Sequence, residues 1–194
     1  MLHDSNWGAS HYLDRMRKSD LTADYVRLLL SYDPLTGEFR WKERPRNVCV
    51  SNRAWHTWNT QRAGKLAGYR NSDGYIRIKL NGSNYSAQRL AWLYETGEWP
   101  TDEVDHRDRN RARNEWENFR IATRSQNRMN CAPPITNTSG VKGVHFNKRK
   151  RRWRAQIVLK GKLIFLGDYS TFEGAVQARK EAEERLFGEF AYVA

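Results

Sequence analysis

An acidic residue directly before a histidine is the feature of this sequence best suited to chemistry. Asp105 and His106 follow the apolar residue Val104, and Asn127 lies further along the chain. A histidine with an ordinary pKa of about 6.5 can take up a proton at neutral pH. Carboxylate and amide oxygens are ligands that suit Mg²⁺ or Mn²⁺. Alone, such an Asp-His pair is usually a surface pair and such an Asn a helix cap, so the hypothesis rests on their combination.

A helix is predicted to present Asn127. Thr123 and Gln126 have the spacing of a capping box, which places Asn127 near the second turn of the helix. Arg124 lies three residues earlier, on the same face. Asn114, in the segment between His106 and this helix, is predicted to be a turn or cap residue.

The first part of the chain predicts one helix followed by strands and a second helix. Residues 1–19 show no period and form a lead-in. Apolar residues at helical spacing predict a helix over residues 20–32, capped by Asp20 or Thr22. Strands are predicted at residues 38–42, 65–69 and 74–80. The dipeptide Asn81-Gly82 indicates a hairpin, and a helix over residues 88–96 is expected to end at Gly97. Residues 44–59 have no assignment.

After a predicted linker at residues 132–139 the pattern starts again. Residues 141–146, 153–159 and 163–166 read as three short strands. Ser170 and Glu173 have capping-box spacing and predict a helix to about residue 186, with alanines on one side. The C-terminal part is therefore expected to be a three-stranded antiparallel sheet with one helix.

Composition points to a nucleic-acid partner. The chain carries 34 Lys and Arg against 22 Asp and Glu, a net charge of +12, and its aromatic content is typical of a folded protein. Its apolar runs are short of the roughly 20 residues of a membrane span, and its first residues lack a secretion signal pattern. The two cysteines, Cys49 and Cys131, form no CxxC pair and fit a reducing compartment. We therefore expect an intracellular, cytoplasmic protein without a membrane partner.

The Asp-His pair and the following asparagines resemble the HNH endonuclease family. Asn118 comes twelve residues after His106, and Asn127 comes nine residues after Asn118. Residues 32–39, 89–100, 114–118 and 122–127 resemble the phage-type branch of that family, and the resemblance covers residues 21–131.

The resemblance implies an α+β protein with a ββα-metal nuclease fold. The nuclease region would span residues 20–131, with its core at about 85–131. His106 would be the general base, Asn118 would hold the hairpin that orients it, and Asp105 and Asn127 would bind one Mg²⁺ or Mn²⁺ ion. No zinc is expected. Arg89, Arg107 and Arg124 are expected to contact DNA.

Two positions depart from the family pattern. Gln88 stands where relatives commonly have histidine, and Arg107 stands where an apolar residue is usual. Gln88 favours the alternative that the protein is a non-catalytic, sequence-specific DNA-binding protein on an HNH scaffold.

The C-terminal segment combines positive charge with strand alternation. Residues 141–165 contain nine Lys and Arg and no acid. A basic sheet of this kind can enter the DNA major groove, or it can grip phosphates without selecting bases. Residues 138–194 resemble the plant ethylene-response-factor (Apetala-type) DNA-binding domain, and a domain over residues 140–194 is expected. The residues expected to face DNA are Lys142, His145, Asn147, Arg149, Arg151, Arg152, Arg154, Gln156 and Phe165.

Together these features predict a metal-dependent endonuclease acting on double-stranded DNA. It would be a phage or homing enzyme working in the bacterial host cell as a monomer or transient dimer, with each active site nicking one strand. An RNA-binding protein would fit the charge but leave the Asp-His and Asn spacing unexplained.

Overall fold

The structure, a computed structural model, describes residues 21–131, 133 and 136–191. The predicted lead-in at residues 1–19 and part of the predicted linker lie outside these residues. The chain forms two compact units, one ending at Ile121 and the other beginning at Ala122. The predicted domain boundaries remain predictions. In the described part of the chain no helix is both long and apolar enough to cross a membrane.

The first unit begins with a short helix and a hairpin. Helix α1 (Ala23–Leu29) is capped by Thr22, whose Oγ1 accepts a hydrogen bond from the Tyr25 amide. Of the two predicted caps, Asp20 and Thr22, the cap is therefore Thr22. Strands β1 (Leu30–Tyr32) and β2 (Phe39–Trp41) then pair antiparallel. The predicted helix over residues 20–32 is therefore too long, because the chain is already extended at Leu30.

The segment without a sequence assignment contains a helix. A 3₁₀ turn (Arg46–Val48) leads to helix α2 (Asn52–Arg62), capped by Ser51. None of its residues is fully buried. The helix is held by Trp58, whose ring packs edge-on against Trp41, and by the Arg44 guanidinium, 3.3 Å from the centre of the Trp58 ring.

A three-stranded antiparallel sheet follows, in the order β3 (Tyr69–Arg70), β4 (Ile76–Leu80) and β5 (Ser83–Ser86). Asn81 and Gly82 both have positive φ, so the predicted hairpin is confirmed. Helix α3 (Ala87–Thr96) ends at Gly97 in the left-handed conformation, as predicted. Its buried face joins the core of the first unit through Leu90 and Leu93.

Two strands and a helix then appear in the predicted ββα order. They are β6 (Glu103–His106), β7 (Phe119–Ala122) and α4 (Arg124–Asn130), and β6 and β7 form a two-stranded sheet. The predicted capping box is present, because the Thr123 side chain accepts from the Gln126 amide while the Gln126 side chain accepts from the Thr123 amide.

The second unit contains the predicted three-stranded antiparallel sheet and its helix. The sheet order is β10 (Lys162–Tyr169), β9 (Arg152–Leu159) and β8 (Val144–Asn147). Helix α5 (Phe172–Phe187) packs on it through Ala175 and Ala182. The cap of α5 is Thr171 rather than the predicted Ser170, because the Thr171 Oγ1 accepts from the Gly174 amide. The mixed helix and sheet class predicted for the chain is confirmed.

We expect Gly37→Ala to destabilise the protein by about 1–3 kcal/mol more than Gly82→Ala. Both glycines have positive φ, +70° and +76°, so both alanines would carry the left-handed penalty. Only at Gly37 would the new Cβ collide with backbone, at the carbonyl carbon of Asn114, whereas Gly82 faces open space. Urea unfolding of both variants measures the difference, and equal losses would contradict this close approach.

Candidate active site in the first unit

A buried ion pair joins β6 and β7. The Asp105 carboxylate on β6 accepts two hydrogen bonds at its Oδ2 atom from Arg120 on β7, at 2.9 Å from Nε and 2.8 Å from Nη2. Both side chains are almost completely buried, 7% and 6% exposed. Sequence reasoning missed Arg120, since an arginine in a basic chain gives no local sign that it will be buried against a carboxylate.

His106, the last residue of β6, is buried among aromatic rings. Its imidazole lies 5.3 Å from the Phe119 ring and 6.1 Å from the Tyr75 ring, measured between centroids. Burial lowers the pKa of His106 below its ordinary value, against a smaller opposing effect of the Asn114 hydrogen bond and of Asp105. The neutral imidazole, the form that can accept a proton, is therefore favoured at pH 7.

Asn114 contacts the His106 ring. Its Oδ1 lies 3.4 Å from the His106 Nε2, while its Nδ2 donates to the Ala112 carbonyl at 3.0 Å. Asn114 is 2% exposed. It lies in the loop at residues 107–118, outside the turn at residues 111–112, and Glu115 rather than Asn114 caps the following 3₁₀ helix. The predicted turn or cap role is therefore wrong, and the prediction gave Asn114 no contact with the histidine.

Tyr32 on β1 and the turn at residues 33–37 hold Asn114 from outside this loop. The Tyr32 hydroxyl donates to the Asn114 carbonyl at 2.6 Å, and the Trp116 amide donates to the Pro34 carbonyl at 2.9 Å. The Asn114 backbone lies directly against the Cα of Gly37. Residues about 80 positions earlier in the chain therefore fix the group that contacts His106.

The Asn118 side chain makes hydrogen bonds to other residues of the same loop at 107–118. Its Nδ2 donates to the Asp108 Oδ1 at 2.9 Å and to the Arg113 carbonyl at 3.1 Å, and its Oδ1 accepts from the Asp108 amide. The Arg107 amide donates to the Asn118 carbonyl. These bonds close the loop between β6 and β7, and the role of Asn118 in orienting His106 remains a prediction.

Asn127 lies on α4, in the second unit, whereas Asp105 lies in the first. Their joint role as metal ligands remains a prediction. Their chemistry fits the group, since one carboxylate and one amide oxygen suit Mg²⁺ or Mn²⁺ with water or phosphate as further ligands. Within the residues described, no three His, Cys, Asp or Glu side chains form a metal-binding group.

Gln88, which departs from the family pattern, is 7% exposed on α3. Its Oε1 atom is buried and has no hydrogen-bond partner among the described residues.

Comparison with known proteins identifies the segment that carries these residues. Residues 85–129 match the family model described as HNH endonuclease. This segment is an HNH endonuclease domain. It contains Asp105, His106, Asn118 and Asn127 at the predicted spacing. HNH nucleases generally use a divalent metal ion.

A curated relative supports a phage connection. Protein 3.8 of Escherichia phage T7 is 36% identical over 59 residues, which make up 30% of this chain and 49% of the phage protein. The match thus spans about half the length of that relative. No solved structure matches the chain. The comparisons give no support for an ethylene-response-factor domain.

Several residues predicted to contact DNA share one face of the second unit's sheet. His145 on β8 lies opposite Arg154 on β9, and Gln156 on β9 lies opposite Phe165 on β10. On its other side, Arg154 lies opposite Asp168 of β10, an acid that was not among the predicted contacts. Arg154 donates two hydrogen bonds to Asp168, at 2.8 and 3.2 Å.

The other predicted DNA contacts lie elsewhere. Arg149 and Arg151 are exposed in the turn between β8 and β9, and Arg152 is the first residue of β9. The Asn147 side chain accepts a hydrogen bond from the Lys150 amide. Lys142 donates to the Arg128 and Met129 carbonyls at the end of α4. In the HNH domain, Arg89 donates to the Asp102 carbonyl and Arg107 to the Phe119 carbonyl.

Arg120→Ala should destabilise the protein by about 3–5 kcal/mol, because it leaves the Asp105 carboxylate buried without its counter-charge. Arg40→Ala is the control, since the Arg40–Glu38 pair has the same 2.8 Å separation but is exposed, and should cost about 1 kcal/mol or less. Urea unfolding measures both. The double variant Asp105→Asn with Arg120→Met should recover part of the loss, and similar losses for the two arginines would contradict the proposed cost of burial.

Acidification below about pH 7 should destabilise the metal-free protein. The folded-state pKa of His106 lies below its unfolded value, so the unfolded state binds more protons in this range. The free energy of unfolding therefore decreases as the pH is lowered. His106→Gln should flatten this dependence. Urea midpoints measured across the range provide the test, and an unchanged slope in His106→Gln would contradict it.

Proposed function

We propose that this protein is a metal-dependent endonuclease that hydrolyses phosphodiester bonds in duplex DNA. The observation that carries the proposal is the buried His106 imidazole, which follows Asp105 at the end of β6 inside the HNH endonuclease domain. In keeping with the relative in phage T7, the protein would act in the cytoplasm of a bacterial host cell, as a phage-encoded or homing enzyme.

His106 takes the proton from the attacking water in this mechanism. Its burial keeps it neutral, and Asn114 limits the rotation of the ring by contacting Nε2. Because the turn at residues 33–37 fixes Asn114, the base is positioned before substrate arrives. General-base catalysis of this kind contributes about 10²–10⁴-fold to the rate.

Asp105 and Asn127 would hold one Mg²⁺ or Mn²⁺ ion. The ion supplies Lewis-acid stabilisation of the phosphate and of the departing 3′-oxygen. The Arg120 guanidinium already compensates the charge of the Asp105 carboxylate and fixes its orientation. The protein alone should therefore bind the metal weakly, and a DNA phosphate would complete the ligand set.

The second unit would hold the enzyme on DNA. The sheet and its turns carry nine Lys and Arg between residues 141 and 165 without an acid. The likeness to the ethylene-response-factor domain contributes to this part of the proposal only as a sequence resemblance. Contacts with phosphates would make binding strongly dependent on salt. One active site cuts one strand, so a monomer would nick and a transient dimer would cut both strands.

The second candidate is a DNA-binding protein without catalytic activity. Gln88 favours it, since its buried Oε1 atom lacks a partner at a position where relatives commonly have histidine. The Asp105–Arg120 ion pair favours it as well, because it engages the proposed metal ligand.

Nicking of supercoiled plasmid tests the proposal. We expect nicks with Mg²⁺ or Mn²⁺, no nicks with EDTA, and a loss of about 10²-fold or more in His106→Ala. The exposed His56 on α2 provides the matched control, and His56→Ala should nick normally. Binding of duplex DNA by the full chain without cleavage under any of these metals would support the second candidate and contradict the first.

A further inference from the structure

An apolar patch interrupts the basic face of the second unit's sheet. Val158 on β9 is 52% exposed, and Leu163 and Phe165 on β10 are 62% and 58% exposed. Leu163 lies directly opposite Val158, and Phe165 lies on the same face two residues further along β10. The intervening residues Ile157 and Ile164 point the other way, into the core under α5.

The patch lies on a part of the sheet that is only two strands wide. Strand β8 pairs with β9 from Arg152 to Ala155, and among the described strands the rest of β9 pairs only with β10. Two strands lie about 4.8 Å apart, and a two-stranded ribbon fits into the DNA major groove, which is about 12 Å wide. The ribbon ends in a tight turn at Lys160 and Gly161, both with positive φ.

Cationic side chains border the patch. Val158 and Leu163 line an open cleft of about 820 Å³ in the second unit. The same cleft is lined by basic residues: Arg124, Arg128, Lys142 and Lys160. Such a border complements the phosphates of a nucleic acid and opposes an apolar partner of positive charge.

Arg154 and Gln156 give the same face hydrogen-bonding capacity. Gln156 lies opposite Phe165, and the Arg154 guanidinium carbon lies 5.2 Å from the centre of the Phe165 ring. Glutamine and arginine contact base edges in the major groove, where apolar side chains contact the thymine methyl group. Gln156 and the apolar patch therefore match the adenine edge and the thymine methyl group of an A·T pair, whereas Arg154 matches guanine.

We propose that Val158, Leu163 and Phe165 contact thymine 5-methyl groups in the major groove, and so give the protein a preference for A·T pairs in its binding site. This inference rests on the proposed binding of duplex DNA by the second unit.

Uracil substitution tests the inference, because uracil differs from thymine only by the absence of the methyl group. A binding site is first selected from random duplexes with the full chain in EDTA, which prevents cleavage. The affinities for the selected site with thymine and with uracil are then compared. Each contacted methyl should contribute about fourfold, the equivalent of about 0.8 kcal/mol for one buried carbon.

Paired variants assign the effect to the patch. The double variant Val158→Ala with Leu163→Ala should bind thymine and uracil duplexes with closer affinities than the wild type does. Leu35→Ala with Val50→Ala removes the same atoms from exposed positions in the first unit, 83% and 73% exposed, and should keep the wild-type ratio. Circular dichroism of each variant checks folding, and the thymine–uracil comparison of the wild type requires no variant.

The outcomes separate this inference from the function on which it rests. Equal wild-type affinities for thymine and uracil overturn methyl recognition while leaving DNA binding intact. Failure to bind any duplex overturns both, and nicking without methyl discrimination overturns the inference alone. A concentration-dependent dimer that the patch variant abolishes would show that the patch binds a second copy of the chain, which also overturns it.

Discussion

The ion pair between Asp105 and Arg120 is the constraint on which the candidate site depends. Each charge alone would be very costly to bury, so the pair fixes the two strands of the β6–β7 sheet side by side. Because His106 follows Asp105 directly, the same pair determines where the imidazole leaves the strand. It also makes Asp105 a carboxylate with a compensated charge. For the proposed metal site, this compensation lowers the affinity of the carboxylate for an ion and keeps its orientation fixed.

The loop between β6 and β7 depends on more of the chain than the segment matched by the HNH family. Asn118 closes it from inside, within residues 85–129. The Tyr32 hydroxyl and the Gly37 backbone hold it at Asn114 from the β1–β2 hairpin, which lies outside that segment. Since Asn114 contacts His106, the position of the proposed base depends on the hairpin that comes first in the described chain. The residues that hold this loop in place therefore extend beyond residues 85–129, the segment that matches the HNH family model.

Local sequence signals predicted the elements that local interactions determine. The capping box at Thr123, the hairpin at residues 81–82 and the strand alternation of the second unit all have the predicted structure. Helix α2 was missed because it has no buried side and is held by Trp58 against Trp41, a tertiary contact. The contacts of Asn114 and Arg120 were missed for a related reason, since their partners lie on other elements and neither residue type indicates which partner it will find.

An acid on the basic sheet bears on the balance between affinity and selectivity. The Asp168 carboxylate accepts hydrogen bonds from Arg154 and Lys150, and the Arg154 guanidinium above all lowers the pKa of Asp168 far below its usual range. An acid on a face that meets phosphates reduces the electrostatic part of the affinity. In return it fixes the planar guanidinium beside the Phe165 ring, where a mobile arginine would favour any nearby phosphate. Since phosphate contacts carry no sequence information and base contacts do, a fixed arginine is of more use to the proposed reading of base edges than to a grip on the backbone.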